Sequence, residues 1–172
     1  LSKSLTSINS KLPSYYKPNV NFDNRFYDSF LLEFEISNDS SGCIFHMGGN
    51  KYSGGISLFK TGNNLELFIT NESASEAKRL SAWLGQSGAG NTPWSKHQIF
   101  WDSESKTVNY FINSNHITQT RFESSLGKNH PNLILGADLH SQNFGNVKLK
   151  SFKIYNKKYS VDDVLKNKTE MP

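Results

Sequence analysis

The chain has 172 residues and a formal net charge of +4, and this length corresponds to one ordinary domain with a core of its own. Its single cysteine, Cys43, excludes an internal disulfide and a multi-cysteine zinc site. The lysines are spread along the chain, so we expect no nucleic-acid partner, and no stretch approaches the roughly 20 apolar residues of a membrane-spanning helix.

The first segment, residues 1–21, is rich in Ser and Lys and contains Pro13 and Pro18, which interrupt regular structure. We interpret it as either a linker from a preceding domain or an edge strand, and we assign residues 22–172 to one domain. Because the chain begins at Leu1 without a methionine, we expect it to be a piece of a longer protein.

Alternating apolar and polar residues predict strands along most of the chain. The clearest case is Leu32, Phe34 and Ile36, which alternate with two glutamates. Successive hairpins with no helix between them predict an antiparallel all-β protein with about ten to twelve strands. The main predicted strands are 30–36, 43–47, 56–59, 65–69, 94–101, 107–112, 116–118, 133–136 and 145–156.

The segment 71–91 interrupts this rhythm, and within it Ser75–Leu84 is predicted to form either a short helix or a long loop. Long loops of compact β domains often carry binding residues. We therefore propose Arg79, Trp83 and Gln86 as ligand-binding residues, with Trp83 as the best single aromatic candidate because the segment around it is polar and glycine-rich. Trp94, which opens the next strand, is assigned to the core.

A second candidate surface lies on the strands 94–101 and 107–112, whose alternate residues should face the core. The predicted inward residues are His97, Ile99, Trp101, Val108, Tyr110 and Ile112. The predicted outward residues, which would form a ligand-binding platform of two rings and two amides, are Gln98, Phe100, Asn109 and Phe111. The competing interpretation is that the segment 71–91 covers this face and that the rings form a second small core.

The end of the chain combines a long strand with a predicted helix. The strand 145–156 keeps its alternation except for one slip at Ser151, which a β-bulge would absorb. A short C-terminal helix is predicted to follow, with Ser160 as its cap. Its first turn contains Asp162 and Asp163, and its apolar stripe consists of Val161, Val164 and Leu165.

The order of these motifs over about residues 28–166 resembles the concanavalin A-like jelly roll in its laminin-G-like form, and sialidase-associated carbohydrate-binding modules look nearest. The motifs are 43–49, 55–59, 64–68, the strand opened by Trp94, 108–113, 133–137 and 152–157. The resemblance implies an antiparallel two-sheet sandwich that binds a glycan or glycoprotein. It also implies an arginine for sialic acid, which 137–140 lacks. The calcium-binding members imply an acid near Gly54, which is absent, so no cofactor is expected and calcium is left open without a residue that signals it.

Catalytic chemistry is weakly indicated. Glu33 and Glu35 have the same-face spacing of a glycosidase pair, but the third acid of such enzymes is replaced by Ser37 and Asn38, and two solvent-facing glutamates on a half-buried strand explain the pair better. Cys43 lies in an alternating apolar strand and is assigned to core packing. The histidines lack metal-binding spacing. We therefore expect the protein not to be an enzyme.

These observations favour a non-catalytic carbohydrate-recognition module of a secreted or cell-surface protein. Such a module would target a larger enzyme, toxin or adhesin to host or cell-surface glycans. The alternative is a structural or protein–protein interaction jelly roll without sugar binding. A glycosidase that uses Glu33 and Glu35 is the third hypothesis.

Overall fold

The structure, a computed structural model, describes residues 29–48, 54–71, 73–87, 92–124, 133–137, 146–156 and 160–161. These ranges contain eleven strands and one short 3₁₀ turn, Leu84–Ser87, and no helix in them has the length and apolar character needed to cross a membrane. The strands are β1 (Phe30–Ser37), β2 (Gly42–Met47), β3 (Gly55–Thr61), β4 (Asn64–Thr70), β5 (Ala77–Trp83), β6 (Trp94–Asp102), β7 (Thr107–Ile112), β8 (Asn115–Arg121), β9 (Leu133–Leu135), β10 (Leu149–Asn156) and β11 (Ser160–Val161).

The strands form two sheets that pack face to face as a jelly-roll sandwich. One sheet has six strands in the order β11-β10-β1-β6-β7-β8, and the other has five in the order β5-β4-β3-β2-β9. Neighbouring strands are antiparallel in both sheets. The prediction of an all-β antiparallel sandwich is therefore confirmed.

The core lies between the two sheets and is centred on Phe34. The Phe34 ring stacks on Phe152 with centroids 5.4 Å apart, and it meets Phe45 of the other sheet edge-on at 5.5 Å. Each buried phenylalanine contributes about 1.5–3 kcal/mol of apolar burial. The predicted core residues Phe34, Phe45, Tyr110, Leu135 and Ile154 are all buried, with at most 1% of their surface exposed.

The assignment of Trp94 to the core is wrong. Ser95 and His97 face inward, so Trp94 and Lys96, which alternate with them, project from the outer face of the six-stranded sheet. There Trp94 is half-buried, and the Lys150 ammonium lies 4.3 Å from the centroid of its ring. The inward position predicted for His97 already required Trp94, three residues earlier, to face outward.

The segment Ser75–Leu84 contains neither the predicted helix nor a long loop. Residues Ala77–Trp83 form β5, which pairs with β4 along its whole length. Leu80, Ala82 and Leu84 are buried and alternate with exposed residues. Strand pairing thus overrides the high helix propensity of the alanines and charged residues in this segment.

The end of the chain agrees only in part with the prediction. The bulge predicted near Ser151 is confirmed, because Glu35 pairs with Ser151 and Ile36 with Leu149, which leaves Lys150 as the extra residue. Ser160 and Val161, however, belong to β11, which covers the edge of β10, so Ser160 does not cap a helix. The rest of the predicted helix, including Val164 and Leu165, lies outside the described residues, as does the segment 1–21.

Candidate functional site

Six of the seven residues predicted to bind a ligand are divided between the outer faces of the two sheets. Arg79 and Trp83 project from β5 of the five-stranded sheet. The other group projects from β6 and β7 of the six-stranded sheet, as predicted, and consists of Gln98, Phe100, Asn109 and Phe111. Gln86 lies in the 3₁₀ turn, and its side chain is outside the described structure. Because the core separates the sheets by about 10 Å, one small ligand cannot contact both groups.

Arg79 and Trp83 belong to a mixed aromatic and polar surface that we call the β3–β5 face. Its members are Phe59, Asn64, Glu66, Phe68, Arg79, Ser81 and Trp83. Cross-strand register places Phe68 opposite Arg79 and Asn64 opposite Trp83. Among the described residues, the large hydrophobic side chains that are exposed both lie on this face: Phe68, at 39%, and Trp83, at 52%.

One side of the Trp83 ring lies over the backbone of Gly85. A Cβ atom added to Gly85 would lie 2.6, 2.7 and 2.8 Å from the ring atoms Cη2, Cζ3 and Cζ2. The ring therefore rests on a residue without a side chain, while half of its surface is open to solvent. The ring therefore has one face packed on the chain and a surface on which a ligand can pack.

The polar side chains beside the ring interact with one another through a hydrogen bond and an ion pair. Glu66 Oε2 accepts a hydrogen bond from Ser81 Oγ at 2.8 Å and lies 3.5 Å from Arg79 Nε. The Arg79 side chain remains 64% exposed, so the face offers a guanidinium and a carboxylate next to exposed rings. Sugar-binding sites combine an aromatic surface with polar groups of this kind, which hydrogen-bond the hydroxyls.

Sequence reasoning missed Glu66 and Phe68 as members of this face. The signal was present in part, since the inward positions of Leu65, Leu67 and Ile69 require both residues to face outward. What the sequence did not show is that β5 lies next to β4, which brings them beside Arg79.

The two amide side chains of the second group, on the six-stranded sheet, form hydrogen bonds with other residues of the same sheet. Gln98 Nε2 donates to Glu33 Oε1 at 2.8 Å, and the same oxygen lies 3.2 Å from Lys96 Nζ. The Asn109 amide donates to Thr107 Oγ1 at 3.2 Å. The hypothesis that the segment 71–91 covers this face is wrong for its described strand, because β5 belongs to the other sheet.

At the end of this outer face lies a pocket of about 440 Å³, which we call the β1–β6–β10 pocket. It is lined by Ser29, Phe30, Leu31, Phe100, Asp102, Glu104 and Tyr155. Phe100 therefore lines this pocket, whereas the ring of Phe111 packs against that of His116 elsewhere on the sheet, with centroids 5.1 Å apart.

The interior contains a polar chain centred on His97. Tyr110 donates its hydroxyl to His97 Nδ1 at 2.7 Å, which leaves Nε2 to donate to Ser95 Oγ at 2.7 Å. Ser95 in turn donates to Asn38 Oδ1 at 2.9 Å. Burial, with a smaller effect of the Lys60 charge, lowers the pKa of His97 to about 3, and burial raises the pKa of Tyr110.

This Ser–His pair has the wrong direction for nucleophilic catalysis, in which histidine accepts the serine proton. Here the buried Ser95 donates to Asn38, so the chain functions as a packing element. Within the described ranges, no group of three or more His, Cys, Asp or Glu side chains is placed to hold a metal ion.

Comparison with known proteins identifies the fold. No protein-family model matches the chain, and no curated protein matches it. The LG4-5 domains of the mouse laminin alpha1 chain superpose with a TM-score of 0.62 over 87% of this chain and 40% of that chain, at 10% identity. The fold is that of a laminin G-like jelly roll.

Two further solved structures share this fold. The CBM40 of the Ruminococcus gnavus IT-sialidase has a TM-score of 0.56 over 81% of this chain and 86% of its own, at 12% identity. The botulinum neurotoxin serotype D ligand binding domain, in complex with N-acetylneuraminic acid, has a TM-score of 0.62 over 85% of this chain and 37% of its own, at 18% identity. The chain thus spans less than half of the laminin and toxin chains, and such low identities establish a fold, not a ligand.

Proposed function

We propose that the protein is a non-catalytic glycan-recognition module and that its binding surface is the β3–β5 face. The observation that carries this proposal is the Trp83 ring, which lies on Gly85 and is half exposed. The neighbouring Glu66, Ser81 and Arg79 supply hydrogen-bonding groups in a fixed arrangement. Supporting the ligand class, two proteins of the same fold are a sialidase CBM40 and a toxin domain in complex with N-acetylneuraminic acid.

The physical mechanism is stacking combined with hydrogen bonding. The apolar face of a pyranose packs on the exposed side of Trp83, while Asn64, directly opposite in β4, and the Glu66–Arg79 pair hydrogen-bond the hydroxyls. Glu66 is the single carboxylate among the residues that define this face. Glycoside hydrolysis ordinarily requires two, which supports binding without cleavage.

The setting we propose is a larger secreted or cell-surface protein in which this domain directs the rest to glycans. The proteins of the same fold support this setting, since the chain spans 40% of the laminin chain and 37% of the toxin chain. In this view residues 1–21 are the connection to a neighbouring domain. The sequences that flank the chain in its full gene product test the proposal directly.

A glycan array tests the binding function with the whole chain. We expect wild-type protein to bind a defined set of glycans and Trp83→Ala to reduce affinity about 30-fold, the effect of losing a central aromatic contact of about 2 kcal/mol. Arg79→Ala should also weaken binding. The matched control is Trp94→Ala, which removes a half-buried tryptophan from the opposite sheet and should leave affinity unchanged.

A blank array from a protein that unfolds cooperatively in urea would remove the glycan proposal. Loss of binding in Phe111→Ala, with Trp83→Ala unaffected, would move the site to the six-stranded sheet. A blank array with self-association that Trp83→Ala abolishes would favour the protein-interaction alternative instead.

A further inference from the structure

The β3–β5 face has two exposed aromatic rings that are well separated along its strands. In the pairing of β4 with β5, Phe68 lies opposite Arg79 and Asn64 lies opposite Trp83. The step from Asn64 to Phe68 covers about 13 Å at the rise of an extended strand, and the Trp83 ring lies over Gly85, beyond the end of β5. A single pyranose is about as long as the 4.8 Å spacing of adjacent strands, so it can contact only one of the two rings.

The Phe68 ring is supported from the side of β3. It packs edge-to-face against Phe59, with ring centroids 5.7 Å apart and an angle of 83° between the ring planes. It nevertheless keeps 39% of its surface exposed. Phe68 therefore resembles Trp83 in offering part of a ring to a ligand while another part packs on the protein.

The polar groups of the face lie between the two rings. Glu66 is midway between Asn64 and Phe68 in β4, and Ser81 lies opposite it in β5. The Glu66 carboxylate accepts a hydrogen bond from Ser81 at 2.8 Å and lies 3.5 Å from Arg79 Nε. The face thus presents a ring, a polar cluster and a second ring in a row, which matches several linked sugars better than one terminal sugar.

The charges of this face favour an uncharged ligand. Glu66 and Arg79 are its two charged members, and their opposite formal charges offset each other at 3.5 Å. Both side chains remain partly solvated, with 35% of Glu66 and 64% of Arg79 exposed, so they are able to hydrogen-bond hydroxyl groups. A sugar carboxylate would be attracted by Arg79 but repelled by Glu66 beside it.

The shape of the ligand follows from the need to contact both rings at once. Three linked pyranoses, each about as long as one strand spacing, bridge the distance of about 13 Å along β4. A β-1,4-linked chain has equatorial linkages and forms an extended ribbon that lies along a sheet. An α-1,4-linked chain coils, and its units turn away from the surface before they reach the second ring.

We propose that the β3–β5 face binds at least three consecutive units of an uncharged, extended oligosaccharide, with one unit on Trp83, the next on the Glu66–Arg79 pair and a third on Phe68. This inference rests on the proposed glycan-binding function and specifies its ligand class. The two proposals can fail separately, because a face that binds only terminal or acidic sugars would satisfy the first and contradict the second.

Cello-oligosaccharides are the probes, because they form an uncharged β-1,4-linked ribbon. In a ¹H–¹⁵N titration of the whole chain, cellotetraose should saturably shift the amides of Glu66, Phe68 and Trp83, whereas cellobiose should leave Phe68 unshifted. The coiled control, maltotetraose, should bind about tenfold more weakly than cellotetraose. The charged control, a β-1,4-linked tetramer of glucuronic acid, should bind no more tightly than cellotetraose, and cellotetraose affinity should not depend on salt.

Phe68→Ala distinguishes the long ligand from the short one. It removes only the second ring, so cellotetraose affinity should fall about tenfold while cellobiose affinity stays within about twofold of the wild type. Trp83→Ala should weaken the binding of both ligands. Phe111→Ala is the matched control, because it removes a phenylalanine ring from the outer face of the opposite sheet, and it should change neither affinity.

The inference is overturned if cellotetraose gives no saturable shifts, or if Phe68→Ala changes the affinities for cellobiose and cellotetraose by the same factor. Equal binding of maltotetraose would contradict the extended shape, and tighter binding of the glucuronic acid tetramer would contradict the uncharged class. Any of these results together with a positive glycan array that depends on Trp83 would leave the glycan proposal standing alone. A blank array would remove both proposals.

Discussion

His97 should make the protein lose stability as pH falls from neutral to 5. Its imidazole is buried between Ser95 and Tyr110 and stacks on Phe34, with ring centroids 5.4 Å apart. The neutral form satisfies both ring nitrogens. The imidazolium would have to donate from Nδ1 as well, which would force the Tyr110 hydroxyl to accept, and it would also face the nearby Lys60 charge.

The sign and size follow from the pKa of His97, which is about 3 in the folded protein and about 6.5 in an unfolded chain. Between these values the unfolded state binds the extra proton, so stability rises with pH in this window and is lost as pH falls below about 6.5. At pH 5 the loss relative to pH 7 is about 2 kcal/mol, because each pKa unit corresponds to about 1.4 kcal/mol.

Urea unfolding at pH 7 and pH 5 measures this loss. The pH range stays above the usual pKa of carboxyl groups, which limits their contribution. Glu76 is one such carboxyl group: desolvation raises its pKa, but hydrogen bonds from Glu123 and Ser124, with the charge of Lys78, together outweigh that effect and lower the pKa. The control is His97→Gln, whose difference between the two pH values should be smaller by about 2 kcal/mol, whatever its absolute stability.

Two results would refute the reasoning: an equal pH dependence in the variant, or an imidazole that titrates above pH 5. An NMR titration of the His97 ring in the wild type supplies the second measurement even if the variant does not fold.

Two further substitutions test the interior and the candidate site. Lys60 is 1% exposed, and its ammonium donates to the carbonyl oxygens of Asn38, Ser40 and Gly62 at 2.8, 3.1 and 2.6 Å. Lys60→Met should therefore lower the free energy of unfolding in urea by about 3 kcal/mol, roughly 1 kcal/mol for each acceptor left without its donor. The exposed control Lys78→Met should change it by less than about 0.5 kcal/mol, and equal effects would contradict the argument. Gly85→Ala would place a Cβ 2.6 Å from the Trp83 ring and should weaken glycan binding while the urea midpoint changes little. Unchanged affinity would show that the ring position is unimportant.

The sequence predicted strands well where one face is plainly apolar. The positions of Leu32, Phe34 and Ile36 require a single register, and the structure has it. β5 was missed because Leu80 and Ala82 are its only buried residues, and because Ala77, Lys78 and Arg79 at its start are good helix formers. Pairing with β4, a non-local interaction, determines its conformation.

The candidate site was harder to predict than the strands for the same reason. Alternation within a strand shows which residues face outward, and it correctly placed Gln98 and Phe100 on an outer face. It does not show which strands are neighbours. The proximity of Arg79 to Glu66, or of Tyr155 to Phe100, depends on the order of strands in a sheet, which no local pattern contains.

The buried polar groups and the β1–β6–β10 pocket occupy different parts of the sandwich. Asn38, in the turn after β1, accepts from Lys60 through its main-chain oxygen and from Ser95 through its side chain. The polar chain therefore ties the end of β1 to β3 and β6. The β1–β6–β10 pocket lies at the start of the same strand, at Phe30. At the rise of an extended strand, Phe30 is about 23 Å from Ser37, at the other end of β1, and about 13 Å from Phe34, the cross-strand partner of His97. Perturbing His97 or Lys60 should therefore change the stability of the sandwich while leaving the geometry of the pocket intact, because sites this far apart without shared partners act independently.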